Sequence, residues 1–206
     1  MIRCGVPPRI ISFLKDSDFE AQSCGFSPHL LNHSVYLWGN PGSGKSVMAV
    51  KLMISTMVKL AWLPTTQEEI RETLTAETLP YFAQQFRFEP VPHLLQSLRM
   101  GLRNEDPEIP ERVEMLKRVK YLILDDIGVE CGTAWVYETL YQLVDARYAR
   151  ILPTVFTSNL SLNELGRRLG DERLVSRIRE MCGDLGIIHL KGPDLRIQPT
   201  AESAEF

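Results

Sequence analysis

The chain has 206 residues, 44% of them hydrophobic, with Lys+Arg 23 against Asp+Glu 26 and a formal net charge of -3. That length suits one core of useful size in a single domain over 1–206, and the near-neutral balance excludes a dedicated basic nucleic-acid binder, leaving any such contact to a local patch or to several copies acting together. No window is apolar enough to span a membrane, MIRCGVPPRI lacks the apolar run of a secretory leader, and Cys4, Cys24, Cys131 and Cys182 form no CxxC pair, so a cytoplasmic protein with reduced thiols is expected.

Residues 4 to 33 mix Pro, Gly, Ser and His with short apolar clusters and read as an irregular lead-in with one or two short helices. SVYLW, 34–38, is a strand delivered straight into GNPGSGKS. From Lys45 the run VMAVKLMISTMVKLAWL predicts a helix packed on a sheet, stopped by Pro64. TTQEEIRETLTAETLPYFAQQ, 65–85, with Thr65 or Thr66 as cap and acids in the first turn, predicts a helix as far as Pro80. FRFE, 86–89, is a short strand, and HLLQSLRMGLR, 93–103, places Leu94, Leu95, Leu98 and Leu102 on one helical face. NEDPEIP reads as a loop and ERVEMLKRVK as a short helix leading to the strand YLILDD. Beyond the loop GVECGT, a helix carries Tyr137, Leu140, Val144 and Tyr148 on one face, and ILPTVFTSN is a strand with a small polar end. SLNELGRRLG opens with a capping box, Ser161 and Glu164, and stops at glycine; DERLVSRIREMC is a further helix and LGIIHLKG, 185–192, a last strand. Strands alternating with helices argue a mostly parallel sheet covered on both faces.

Gly39, Asn40, Pro41, Gly42, Ser43, Gly44, Lys45 and Ser46 fit GxxxxGKS in full, followed by Val47 in the helix. Glycines let backbone N–H groups crowd round phosphate oxygens, Lys45 brings charge to the outer phosphates of ATP, and Ser46 is a magnesium ligand. The helix starting at Lys45 adds its positive end.

The carboxylates of YLILDD need positive partners, because an unpaired charge at the end of an apolar run is costly. With YLILDD beside SVYLW, Asp125 and Asp126 reach the rim that carries the phosphate loop. Asp125 then holds magnesium directly or through water, and Asp126 orients or deprotonates the attacking water. An Asx-type turn after a buried strand is the plainer alternative. Asn159 hydrogen-bonds that water or the γ-phosphate from the opposite side, although asparagine also suits a turn. Arg173 and Arg177, four apart on one helix face, are either a solvated face paired to Glu172 and Glu180 or a source of charge for the nucleotide of a neighbouring copy. Arg196 is either a tail residue or a cis contact to the nucleotide. Arg87, Arg99, Arg103, Lys117, Arg118 and Lys120 are scattered positive charge open to single-stranded DNA.

In this order the features resemble the AAA+ ATPase domain of helicase loaders of the DnaC/DnaI type and the similar IstB-type transposition helper ATPases. CGVPPR looks like the segment before the core, GNPGSGKS like Walker A, YLILDDIG like Walker B with its DD, and LPTVFTSNLSLNEL like the sensor 1 strand with Asn159 in the sensor place. The resemblance implies an arginine finger at Arg177, with Arg173 as second choice, and a sensor 2 role for Arg196 in GPDLR. It implies an AAA+ (RecA-like) P-loop fold with five strands in order 5-1-4-3-2, helices on both faces and little or no lid. The implied function is an ATP- and Mg2+-dependent ATPase that loads or remodels a hexameric replicative helicase on single-stranded DNA, in homo-oligomers with ATP at subunit boundaries. A transposase helper and a non-hydrolysing nucleotide-gated adaptor are the alternatives. Two departures stand out: CGVPPR lies almost at Met1, where loaders carry a helicase-gripping domain, and 61–85 reads as a helical insertion.

Overall fold

A computed structural model describes residues 5–10, 30, 33–59, 85–129 and 133–192. The helix expected in 65–80, Arg196, and Cys4, Cys24 and Cys131 lie outside them. The five strands are β1 (Val35–Trp38), β2 (Phe86–Pro90), β3 (Tyr121–Asp125), β4 (Thr154–Ser158) and β5 (Ile187–His189). They form one sheet in the order β2-β3-β4-β1-β5, every pair parallel. This is the order the resemblance implies, counted from the other edge. The direct adjacency expected between YLILDD and SVYLW is corrected: β4 lies between them, pairing Leu124↔Phe156 on one side and Trp38↔Ser158 on the other. The rim is shared all the same, because parallel strands end on one side.

β3 and β4 are buried along their whole length, which is why they read as continuous apolar runs rather than alternating ones. Successive side chains still part to opposite faces. Val35, Leu37, Ile123 and Val155 pack with helix α1 (Lys45–Lys59) and with Val6 and Ile10. Tyr36, Leu122, Leu124 and Phe156 pack on the other face, which is covered by α2 (Val91–Arg103), α3 (Glu108–Arg118), α4 (Ala134–Ala149), α5 (Leu162–Leu169) and α6 (Glu172–Cys182).

Local chemistry sets the helix ends. Thr133 accepts a hydrogen bond from Val136 N at the start of α4, Ser161 and Glu164 form the expected capping box of α5, and Gly170 closes α5 at φ 74. Three details depart from expectation. Leu102 is 57% exposed; Gly101 takes the buried place on α2, its backbone pressed against Ile109 of α3. α3 begins inside the expected loop, at Glu108, because Pro110 falls in the first turn, where its missing N–H costs nothing. Arg147, on α4, is 0% exposed. Its guanidinium donates to the carbonyls of Leu116, Val119 and Pro153 and to Thr154 Oγ1, all at 2.8–2.9 Å. It ties α4 to the entry of β3 and the start of β4.

Candidate active site

The rim built by the C-terminal ends of β1, β4 and β3 carries the chemistry. β1 hands directly to the glycine loop, where Gly39, Gly42 and Gly44 take φ of 148, 81 and 86. At Gly39 a side chain has no room, since a Cβ would strike the carbonyl oxygen of Leu190. The loop is tied to β4 by Gly39 N donating to Ser158 O at 3.2 Å. Lys45 is buried, and its Nζ donates to Gly39 O and Asn40 O at 2.8 Å each. The loop thus holds its own cation in place by its carbonyls. Ser43 Oγ is buried with no hydrogen-bond partner, a donor built into the loop for an acceptor from outside.

Asp125 ends β3 at 3% exposure. Burial pushes its carboxyl above the ordinary carboxylate range, while the hydroxyls of Thr157 and Ser46 pull it back, Asp126 raises it and Arg9 lowers it. The Thr157 hydroxyl donates to Asp125 Oδ1 at 2.7 Å and accepts from the backbone N–H of Asp126 at 2.9 Å. One β4 side chain therefore fixes both acids. Asp126 sits at φ 60, a left-handed conformation that asparagine and aspartate tolerate better than most and that needs surrounding support. That support continues through Ile127 N to Thr157 O at 2.9 Å and Ser158 Oγ to Ile127 O at 2.7 Å. The chain turns at 126–128 directly after β3, and these bonds hold both acids in that turn.

Between loop and acids opens a cleft of about 440 Å³, within the range of small-molecule sites. Pro41, Gly42, Gly44, Lys45, Ser46 and Val47 line one side, and Asp126 and Asn159 the other. Asp125 is buried next to this lining, with the Ser46 hydroxyl near enough to lower its carboxyl pKa. A buried carboxylate beside a serine hydroxyl is a hard-oxygen donor pair that fits magnesium, which takes few protein ligands and completes its shell from phosphates and water. No group of three or more His, Cys, Asp or Glu able to hold a metal occurs among the described residues.

Arg173 and Arg177 are not brought to this cleft within one copy of the chain. Arg173 pairs with Asp171 at 2.8 Å and lies over Tyr137 and Tyr141. Arg177 pairs with Asp145 at 2.9 Å and lies over Tyr148, its ring centroid 4.6 Å away. Of the partners expected for a solvated face, Glu180 is found at 3.8 Å from Arg177, but the main ones are Asp171 and Asp145. Two residues at this site escaped the sequence reading: Thr157, hidden in a strand, which bonds both acids, and Arg9, which lines the cleft beside Ile10.

The family model for IstB-like ATP binding protein matches residues 81–203. The replicative helicase loader DnaI of Bacillus subtilis is 30% identical over 132 residues, 64% of this chain and 34% of that protein. The phage-like element PBSX protein XkdC of the same organism is 27% identical over 169 residues, 78% of this chain and 51% of that protein. The chain thus spans between a third and a half of these relatives. A crystal structure of the DnaC helicase loader superposes with TM-score 0.58 at 22% identity, over 89% of this chain and 86% of that one, and the fold is that of P-loop AAA+ proteins.

Proposed function

Since the chain belongs to the family of IstB-like ATP-binding proteins, we propose that it is a magnesium-dependent ATPase that loads or remodels a hexameric replicative helicase on single-stranded DNA. The observation that carries the catalytic part is the run Ser46, Asp125, Thr157, Asp126 along the rim of the glycine loop. The loop amides and Lys45 bind the triphosphate. Ser46 and Asp125 hold magnesium, which neutralises charge on the outer phosphates. Asp126, fixed by Thr157 through its backbone, orients a water in line with the terminal phosphate, and Asn159 meets that water or the phosphate from across the cleft. The complete acid pair speaks for hydrolysis over a purely nucleotide-gated adaptor.

The partner rests on the relative's name, replicative helicase loader. Arg177, with Arg173 as second choice, acts on the nucleotide of an adjacent copy, so the active form is a homo-oligomer. Both arginines are already tethered to their own copy, so engaging a neighbour requires exchange of the Asp145 or Asp171 pair. Single-stranded DNA is met at a groove between α2 and α4, lined by Arg99, Leu102, Arg103 and Trp135. There Arg99 stacks over the Trp135 ring at 4.9 Å, offering an aromatic surface and cations together. ATP turnover measured alone, with single-stranded DNA, and with the replicative helicase of the same cell tests the reading: helicase capture in ATP and DNA-stimulated turnover are expected. Capture of a transposase in its place assigns the chain to transposition, and absence of turnover under all conditions leaves the adaptor.

A further inference from the structure

Arg9 precedes the sheet by a long stretch of chain, yet it lines the cleft. The segment that bears it is seated firmly. Gly5 takes φ 86 and lies on the backbone of β2, where a Cβ would collide with the Phe88 carbonyl oxygen. Val6 and Ile10, 1% and 3% exposed, plug into the core layer beneath α1, and Ile10 N donates to Pro7 O at 3.0 Å to close a single helical turn. Pro7 and Pro8 limit the backbone further. With Val6 and Ile10 pinned inward, exposed Arg9 is left facing the space bounded by Gly42, Ser46, Asp126 and Asn159. It is close enough to Asp125 to draw that carboxyl downward.

The charge balance of the cleft makes this cation significant. Asp125 and Asp126 match the two charges of one magnesium ion. That leaves the triphosphate of ATP facing Lys45 and Arg9, the cations that line the cleft among the described residues. Lys45 lies in the loop, whereas Arg9 lines the cleft with Asp126 and Asn159 and is near enough to Asp125 to lower its carboxyl pKa; on the ATP-site reading these are the residues that meet the terminal phosphate. A guanidinium there forms paired hydrogen bonds to phosphate oxygens. Resting on the ATP-site reading, we propose that Arg9 binds the terminal phosphate of ATP in cis, so that the segment 5–10 distinguishes triphosphate from diphosphate.

The test uses the full chain, calorimetric titration with magnesium and either the non-hydrolysable triphosphate AMPPNP or ADP, and thermal melts without nucleotide. Arg9→Ala is expected to weaken AMPPNP about 10- to 100-fold, the usual loss for a hydrogen bond to a charged group, and ADP by less than about threefold. Arg9→Lys should recover part of the loss, and the nucleotide-free melt should not move, since the side chain is exposed. Wild-type affinity for AMPPNP in Arg9→Ala overturns the proposal. So does an equal loss for ADP, which would place the guanidinium on an inner phosphate, or a lowered melt, which would make it structural. If the wild-type chain binds neither nucleotide, the ATP-site reading itself fails and takes this assignment with it.

Discussion

Thr157→Val removes one hydroxyl and leaves the shape of β4 nearly intact, and its consequences are calculable from two bonds. The Asp126 amide loses its acceptor at 2.9 Å and the Asp125 carboxylate its donor at 2.7 Å. An orphaned amide costs about 1–3 kcal/mol, and a lost hydrogen bond to a charged group about 1.5–3 kcal/mol. Asp126 is half-buried at the cleft, so water repairs part of the first loss. The sum is about 2–4 kcal/mol, a sizeable share of a total of about 5–15 kcal/mol but not all of it. At about 2–4 °C per kcal/mol for a chain of this size, the melt should fall by about 5–15 °C. The loss should also depend on pH. Burial holds the folded carboxyl of Asp125 above its unfolded value, so ionising it costs stability as pH rises through the folded pKa, and removing Thr157 raises that pKa further. The deficit of Thr157→Val should therefore be larger at neutral pH than in acid, where the carboxyl is protonated in both proteins. Denaturant melts across that range measure it. A deficit below about 0.5 kcal/mol, or one that is the same at every pH, would refute the role given to this hydroxyl.

Asp126→Asn should leave ATP binding nearly unchanged in a filter assay and remove most turnover; lost binding with unchanged turnover per bound ATP would contradict the water-orienting role. Asp125→Asn removes a buried charge that burial disfavours, so the nucleotide-free protein should melt no lower, and by the sign worked above higher at neutral pH, while activity is lost; a lower melt would contradict it. Arg147→Met takes the guanidinium donors from Leu116 O and Val119 O, while Pro153 O keeps Leu122 N and the Thr154 hydroxyl keeps Leu152 O, and it relieves a buried cation whose pKa burial lowers to about 9; a net loss of about 2–4 kcal/mol is expected in urea unfolding, with ATP affinity per folded molecule unchanged. Cys182, buried and with its thiol pushed up to about 12, should stay unmodified by iodoacetamide at pH 8 in the native protein and react after unfolding, as read by peptide mass spectrometry.

Much of the site was legible because its signals are local. The glycine loop sits between a strand and a helix as its phosphate chemistry requires, and β3 and β4 are apolar enough to be recognised as buried and parallel. What escaped was set by contacts distant along the chain. Thr157 looks like any β-former until β3 lies beside β4. Arg9 gains meaning only when Gly5 rests on Phe88. Arg147 is an arginine in a helix whose apolar face was otherwise well predicted, and four acceptors from other segments make its burial tolerable. Leu102 is set 40° round the helix from Leu98, near enough to share a drawn face and far enough to leave the core. Arg177 is held by Asp145 of α4, a partner that no local pattern in the sequence announces.

In the proposed site, Ser46 and Asp125 hold one divalent cation against the triphosphate on the loop. Mn2+ binding in the presence of AMPPNP, followed by electron paramagnetic resonance in the wild type, Ser46→Ala, Asp125→Asn and the double variant, tests it most directly. One shared ion predicts weaker Mn2+ binding in each single variant and a double variant scarcely worse than either. Undiminished Mn2+ binding in Asp125→Asn, or losses that simply add, would contradict it.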